Sequence, residues 1–127
     1  MIEESERKKY DGVFEACLLR YGKDSQVDVC IEEMAELAKA LLKHRRGRGT
    51  IGLEGMKAFR DSIIDELADV EIMCRQMELL FKAEAEVEGR IAYKVRRQKD
   101  RLWQAGYADI DEMEAKETEE IGLQDVW

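Results

Sequence analysis

The chain has 127 residues and a formal net charge of -8. This length fits one domain with a modest core, and it is too short to cover all the apolar surface of long helices, so we expect self-association. Charged residues make up 39%, aromatic residues only 7%, and proline is absent. Such a composition favours long uninterrupted helices over a sheet, and the sequence therefore predicts an all-α fold.

The negative charge is concentrated at the C-terminus. Residues 109–127 contain eight acidic residues and one base, Lys116, so this segment carries -7 of the total of -8. The rest of the chain is nearly neutral, and this balance argues against nonspecific nucleic-acid binding, which needs a basic face, although it does not exclude binding of one nucleotide. We expect a domain over residues 1–106, followed by an acidic tail over residues 107–127.

The cysteines and the N-terminus predict a cytoplasmic protein. Cys17, Cys30 and Cys74 are odd in number, lie among apolar helical positions and form no C-x-x-C pair, as is typical of reduced, buried thiols. The first residues contain no apolar core of a signal peptide, and no run of about 18 apolar residues could span a bilayer. We therefore expect no targeting segment and no membrane partner.

The spacing of apolar residues predicts a bundle of four main helices. We expect these helices at about residues 3–21, 24–46, 56–85 and, separated or kinked at Gly89, up to about Gly106. The third has the strongest periodicity, and its apolar face comprises Phe59, Ile63, Leu67, Val70, Cys74, Met77 and Phe81. Gly22 ends the first helix, and a glycine-containing connection over residues 47–55 separates the second and third.

Two of these helices repeat one arrangement of acids. Residues 30–37 (CIEEMAEL) and 63–70 (IIDELADV) share the pattern apolar, apolar, acidic, acidic, apolar, alanine, acidic, apolar. On each helix, two acids three residues apart flank the apolar stripe on the same side. These acids are Glu33 and Glu36 on the second helix and Glu66 and Asp69 on the third. If the two stripes pack together, the four carboxylates can converge.

Four converging carboxylates predict a metal ion. They would repel one another and lose hydration unless protons or a cation compensate. All-oxygen ligation suits Mg²⁺, with Mn²⁺ as a substitute, and zinc is disfavoured because the cysteines are scattered and His44 is the only histidine. One E-x-x-E pattern on a helix is usually a solvated face, but two copies with matching offsets favour a metal site.

The double motif resembles the hallmark of the MazG-like, all-α nucleoside triphosphate pyrophosphatase superfamily, E-E-x-x-E on one helix and E-x-x-D on the next. Here it reads E-E-M-A-E at residues 32–36 and E-L-A-D at residues 66–69, within a resemblance over about residues 21–102. The resemblance implies a homodimer or homotetramer with Mg²⁺ at Glu33, Glu36, Glu66 and Asp69. It also implies hydrolysis of (deoxy)nucleoside triphosphates at the α-β phosphate bond by a metal-activated water, which releases monophosphate and pyrophosphate.

The resemblance further implies residues that contact the substrate. Family members grip phosphates with bases on the following helix, where this chain has Lys94 and Arg97. Relatives often have asparagine one turn past that lysine, whereas this chain has Gln98. Gln26 precedes the first motif at a place where family members often contact the nucleotide. The alternative for each of these residues is an ordinary position on a helix.

Two other interpretations of the sequence remain open. A phosphoribosyl-ATP pyrophosphohydrolase shares the fold and the acid motifs, but the long glycine-containing connection fits that enzyme less well. A non-catalytic helical oligomerisation or adaptor module would use the acids only to solubilise a bundle and the acidic tail to engage a basic partner. The residues do not indicate which base of a nucleotide is preferred.

Overall fold

The described part of the chain consists of four α-helices. The structure, a computed structural model, describes residues 2–47 and 52–106. The helices are α1 (Glu4–Tyr21), α2 (Lys23–Gly47), α3 (Leu53–Phe81) and α4 (Glu84–Gln104). No described residue belongs to a strand, which confirms the all-α prediction for these ranges. None of the four helices combines the length and the apolar character that crossing a bilayer requires.

The chain divides into two units, Met1–Glu84 and Ala85–Trp127. The first unit contains α1, α2 and α3, and the second contains α4 from Ala85 onward. Two parts of the chain lie outside the described residues, namely residues 48–51 and the acidic tail predicted over residues 107–127.

The helix boundaries differ from the prediction around residue 82. The third helix was expected to reach residue 85, but it ends at Phe81 because Lys82 adopts the left-handed conformation with φ 52° and ψ 47°. The fourth helix begins at Glu84, so Gly89 lies inside it and does not separate two helices. The predicted end at Gly22 is confirmed: its φ of 92° suits a residue without a side chain and turns the chain directly from α1 into α2.

Helix α3 is the central helix of the first unit. It contacts α2 most extensively and also packs against α1. Its most buried residues are Met73 and Gln76, neither of which belongs to the predicted apolar face. The reason is that α3 packs against two helices, and its most buried side therefore differs from the single stripe that the periodicity predicts. The buried hydrophobic residues of the described chain are Cys30, Ala40 and Met73.

Two contacts show that α2 and α3 run antiparallel. Near the start of α2, Gln26 Nε2 donates a buried hydrogen bond of 2.7 Å to Gln76 Oε1, near the end of α3. At the other end, Gly47 lies against the ring of Phe59, where there is no space for a side chain. Residue numbers therefore rise along α2 while they fall along α3. This register brings the two acid motifs side by side.

An ion pair fixes α1 on α3. Arg75 donates two hydrogen bonds to Asp11, from Nε to Oδ1 at 2.9 Å and from Nη2 to Oδ2 at 2.7 Å. These bonds hold the pKa of Asp11 below its ordinary value and outweigh the opposing effect of burial. Arg75 Nη1 also lies 3.8 Å from Glu78 Oε2. Because a bidentate pair has a defined geometry, this contact sets the position of α1 along α3.

We expect Asp11→Asn to lower the free energy of unfolding by about 1 kcal/mol near neutral pH, since the pair is partly exposed. A carboxylate with a lowered pKa stabilises the fold above its ordinary pKa of about 4, and this contribution is lost as the pH falls through the lowered value. Urea unfolding near neutral pH and in acid measures the difference. The control is Glu15→Gln, an exposed acid on the same helix. A stability difference that does not shrink in acid would contradict this assignment.

Candidate metal centre

Acidic residues of α2 and α3 meet where the two helices pack together. One carboxylate oxygen from each of Glu33, Glu66 and Asp69 lies within 4.8 Å of the others. Glu33 comes from α2, while Glu66 and Asp69 lie about one turn apart on α3. We call these three residues the acid cluster. The structure thus brings together three of the four predicted metal ligands.

The fourth predicted ligand, Glu36, lies outside this group. It is about one turn further along α2 than Glu33, and its side chain is exposed. Its charge still acts on the acid cluster, because it helps to raise the pKa of Glu33. A role for Glu36 in binding metal stays a prediction.

The surroundings of Glu33 raise the pKa of its carboxyl. Burial raises its pKa, and the charges of Asp69, Glu66 and Glu36 raise it further, together with a hydrogen bond to Asp69. A hydrogen bond between two carboxyl groups requires that one of them holds a proton. Without a cation, the acid cluster therefore favours taking up a proton at Glu33.

Glu66 contributes a buried carboxylate oxygen that lacks a hydrogen-bond donor among the described residues. Glu66 Oε2 is buried and has no hydrogen-bond partner among the described residues. Leaving such a group unpaired is costly, and a divalent cation would supply both a bond and a compensating charge. Three carboxylate oxygens suit a hard ion such as Mg²⁺ or Mn²⁺, so the acid cluster fits the predicted metal.

A second buried polar atom without a partner among the described residues, a nitrogen, does not belong to this site. His44 Nε2 is buried and has no partner among the described residues. It lies on α2 eleven residues beyond Glu33, which corresponds to about 16 Å along the helix axis. The acid cluster is therefore an all-oxygen site, as the sequence predicts.

The apolar residues beside the acids are only partly covered. Cys30 is 4% exposed, but Met34, Leu41 and Leu67, which the sequence places on the packed stripes, are 49%, 46% and 45% exposed. The two apolar stripes are therefore only partly buried between the helices at these residues. Each helix buries a narrower side against its neighbour, and the acid cluster is flanked by half-exposed apolar side chains.

Gln26, a predicted substrate contact, forms a buried hydrogen bond within the protein. Its side chain is buried, 6% exposed, and its amide donates to Gln76, which is 3% exposed. The sequence contains no signal for this pair, because a glutamine inside a charged helix normally indicates a solvated position. A contact between Gln26 and a nucleotide stays a prediction, and it would require rearrangement of this buried bond.

The other predicted substrate contacts lie on α4. Lys94, Arg97 and Gln98 are all exposed. The guanidinium carbon of Arg97 is 5.8 Å from the centre of the Tyr93 ring, within the range of a cation-π contact. Their roles in binding phosphate stay predictions from the resemblance.

Comparisons of this chain with models of protein families, with curated proteins and with solved structures find no match. The residues themselves indicate a site. Glu33, Glu66 and Asp69 converge, the pKa of Glu33 is raised, and the buried Glu66 Oε2 has no partner among the described residues.

Added Mg²⁺ is expected to raise the melting temperature of the wild type and to have a much smaller effect on Glu33→Gln. An ion at 100 times its Kd adds about 2.7 kcal/mol to the stability. Without the ion, Glu33→Gln should melt above the wild type, since the substitution removes repulsion between carboxylates.

The effect of Mg²⁺ should also depend on pH. A raised carboxyl pKa stabilises the fold at low pH, and this contribution is lost as the pH rises through the raised value. Mg²⁺ should therefore raise the melting temperature of the wild type more at neutral pH than in acid.

Calorimetry with Mg²⁺ and with EDTA measures these shifts. The matched control is Glu71→Gln, which neutralises an exposed acid on α3 about 200° around the helix from Asp69. Glu71→Gln should respond to Mg²⁺ as the wild type does. Equal shifts in the wild type and Glu33→Gln would show that the acid cluster does not bind the ion.

Proposed function

We propose that this chain is a Mg²⁺-dependent nucleotide pyrophosphohydrolase of the MazG-like superfamily, which cleaves (deoxy)nucleoside triphosphates to monophosphate and pyrophosphate. The observation that most directly supports the proposal is the meeting of Glu33, Glu66 and Asp69 within 4.8 Å across two antiparallel helices. The double acid motif of the superfamily would need this kind of convergence to bind a metal ion. Cleavage of a phosphate linkage requires little of the protein beyond positioning the metal ion and the phosphates.

The residues of the acid cluster would have distinct tasks. When bound, Mg²⁺ would supply positive charge for phosphate oxygens and lower the pKa of a bound water. Glu33, Glu66 and Asp69 would hold the ion through carboxylate oxygens. Glu66 Oε2 is already buried without a competing partner, so no hydrogen bond to a described residue has to break. The ion would favour the ionised form of the Glu33 carboxyl and so oppose the effects that raise its pKa.

We also propose that the chain functions as a homodimer or homotetramer. Several large hydrophobic side chains adjacent in sequence to the acid cluster are 45% to 60% exposed, namely Ile31, Met34, Ile64 and Leu67. A group of large exposed apolar side chains is a feature of protein-protein interfaces. A second copy that covered this surface would also exclude water from the acid cluster and strengthen its electrostatic interactions.

Pyrophosphate release from a panel of nucleoside triphosphates, with Mg²⁺ or with EDTA, tests the proposed reaction. Glu66→Gln should lower kcat by at least about 100-fold, since it weakens metal binding directly. Glu71→Gln should stay close to the wild type. Pyrophosphate and monophosphate in equal amounts indicate cleavage at the α-β bond, whereas orthophosphate would indicate the β-γ bond.

The same panel separates the alternatives. Phosphoribosyl-ATP is added to the panel, and a preference for it would favour the phosphoribosyl-ATP pyrophosphohydrolase. No hydrolysis of any nucleotide would favour the adaptor module. Activity that survives both EDTA and Glu66→Gln would refute the mechanism.

Lys94→Gln should raise KM by roughly tenfold with a smaller effect on kcat, if the lysine binds a phosphate through a charge-assisted bond worth about 1.5 kcal/mol. The matched control is Lys99→Gln on the same helix, about 140° around from Lys94. Steady-state kinetics on the best substrate of the panel measures both variants. The same KM for the two variants would remove Lys94 from the substrate contacts.

A further inference from the structure

A stripe of positive charge runs along one side of α4. Arg90, Lys94, Arg97 and Arg101 follow one another at intervals of four, three and four residues, which places them within about 60° of one another around the helix. All four side chains are exposed. Within residues 2–47 and 52–106, none of them forms an ion pair. We call these four residues the cationic stripe.

Acidic residues of α4 do little to neutralise the cationic stripe. Between Arg90 and Arg101 the one acidic residue is Asp100, about 90° around the helix from the middle of the stripe. Glu86 lies one turn before Arg90, at the end of the stripe only. Like charges three and four residues apart repel and destabilise a helix, so an anion along this side would stabilise α4.

The chain itself supplies an anion immediately after this helix. Helix α4 ends at Gln104, and Gly106, with φ 104°, turns the chain. Residues 109–127 then contain eight acids and one base. Helix α4 is about 31 Å long, whereas the 21 residues from 107 to 127 can extend to about 70 Å, so the acids can reach every residue of the stripe.

Apolar residues add to the charge complementarity. Beside the cationic stripe, about 90° around α4, lie Val87, Ile91, Val95 and Leu102, of which Ile91 and Val95 are 57% and 63% exposed. The acidic segment places hydrophobic residues among its acids, namely Ile110, Met113, Ile121, Leu123, Val126 and Trp127. Both partners therefore combine opposite charge with apolar side chains.

We propose that the cationic stripe of α4 is the docking surface for the chain's own acidic segment, residues 109–127. Its carboxylates pair with the exposed guanidinium groups and with the ammonium group of Lys94. Single surface ion pairs are weak, about 0.2 to 1 kcal/mol each. Attachment to the same chain gives the segment an effective concentration in the millimolar range, so several weak pairs are enough to hold it.

Docking has a regulatory consequence, and this part rests on the proposed function. Lys94 and Arg97 belong both to the cationic stripe and to the predicted phosphate contacts. Residues 109–127 would therefore compete with a triphosphate for the same cations. The segment would act as an autoinhibitory element that a polyanionic substrate displaces.

Zero-length carbodiimide crosslinking of the full-length protein tests docking without any use of catalysis. The reagent activates a carboxylate, and a lysine amine then displaces the activating group as a urea to form an amide bond. We expect crosslinks from residues 109–127 to Lys94, at least about fivefold more than to Lys99, which is exposed about 140° around the helix. Salt should lower their yield, because it screens surface charges. Equal yields at the two lysines would overturn the proposal.

Two controls separate electrostatic docking on the same chain from other origins of the crosslink. The triple variant Arg90→Gln, Arg97→Gln, Arg101→Gln keeps Lys94 and should lose most of the crosslink, while Arg96→Gln, off the stripe, should retain it. Circular dichroism verifies that α4 is intact in both. In a mixture of ¹⁴N and ¹⁵N chains the crosslinked peptides should carry a single isotope, and mixed pairs would overturn docking on the same chain.

Inorganic tripolyphosphate, which presents the phosphate chain without a nucleoside, tests the competition. At millimolar concentration it should lower the crosslinks to Lys94, whereas sodium chloride at matched ionic strength should lower them less. Crosslinks to Lys94 that resist tripolyphosphate would overturn autoinhibition. The crosslinking test of docking does not depend on the tripolyphosphate experiment or on whether the protein hydrolyses nucleotides.

Discussion

The antiparallel packing of α2 against α3 holds like charges together. The buried hydrogen bond between Gln26 and Gln76 helps to fix the register of the two helices, and in this register Glu33 meets Glu66 and Asp69. The pKa of Glu33 is raised by burial and by these neighbours, and Glu66 Oε2 has no partner among the described residues. The helix pair therefore maintains an unfavourable arrangement that a proton or a cation relieves.

The opposite electrostatic arrangement occurs further along the same helix. About two turns beyond Asp69, Arg75 forms a bidentate pair with Asp11 and attaches α1 to α3. Opposite charges stabilise that contact, whereas the acid cluster has like charges and forms no ion pair with a base in the described part of the chain. Helix α3 thus combines a favourable ion pair and a buried amide pair with a costly acid cluster. This is the pattern expected when a fold supports a binding site at some expense in stability.

Net charge alone gives a misleading picture of the protein. The value of -8 arises almost entirely from residues 109–127, whereas α4 from Arg90 to Arg101 carries six bases and one acid. Such a local concentration of positive charge attracts anions in spite of the acidic total. Proposed docking of the acidic segment on α4 would explain how the two opposite concentrations coexist in one chain.

Local patterns in the sequence determined the all-α class, the four helices of the described residues and the acids that could converge. Helical periodicity and a repeated motif are properties of neighbouring residues. Only the tertiary structure decided that Glu36 lies outside the acid cluster. It also decided that Gln26 is buried against Gln76 and that Arg75 pairs with Asp11. These features depend on the register between the helices and on the rotation of α3 about its own axis between α1 and α2. Both are determined by contacts between residues far apart in the chain.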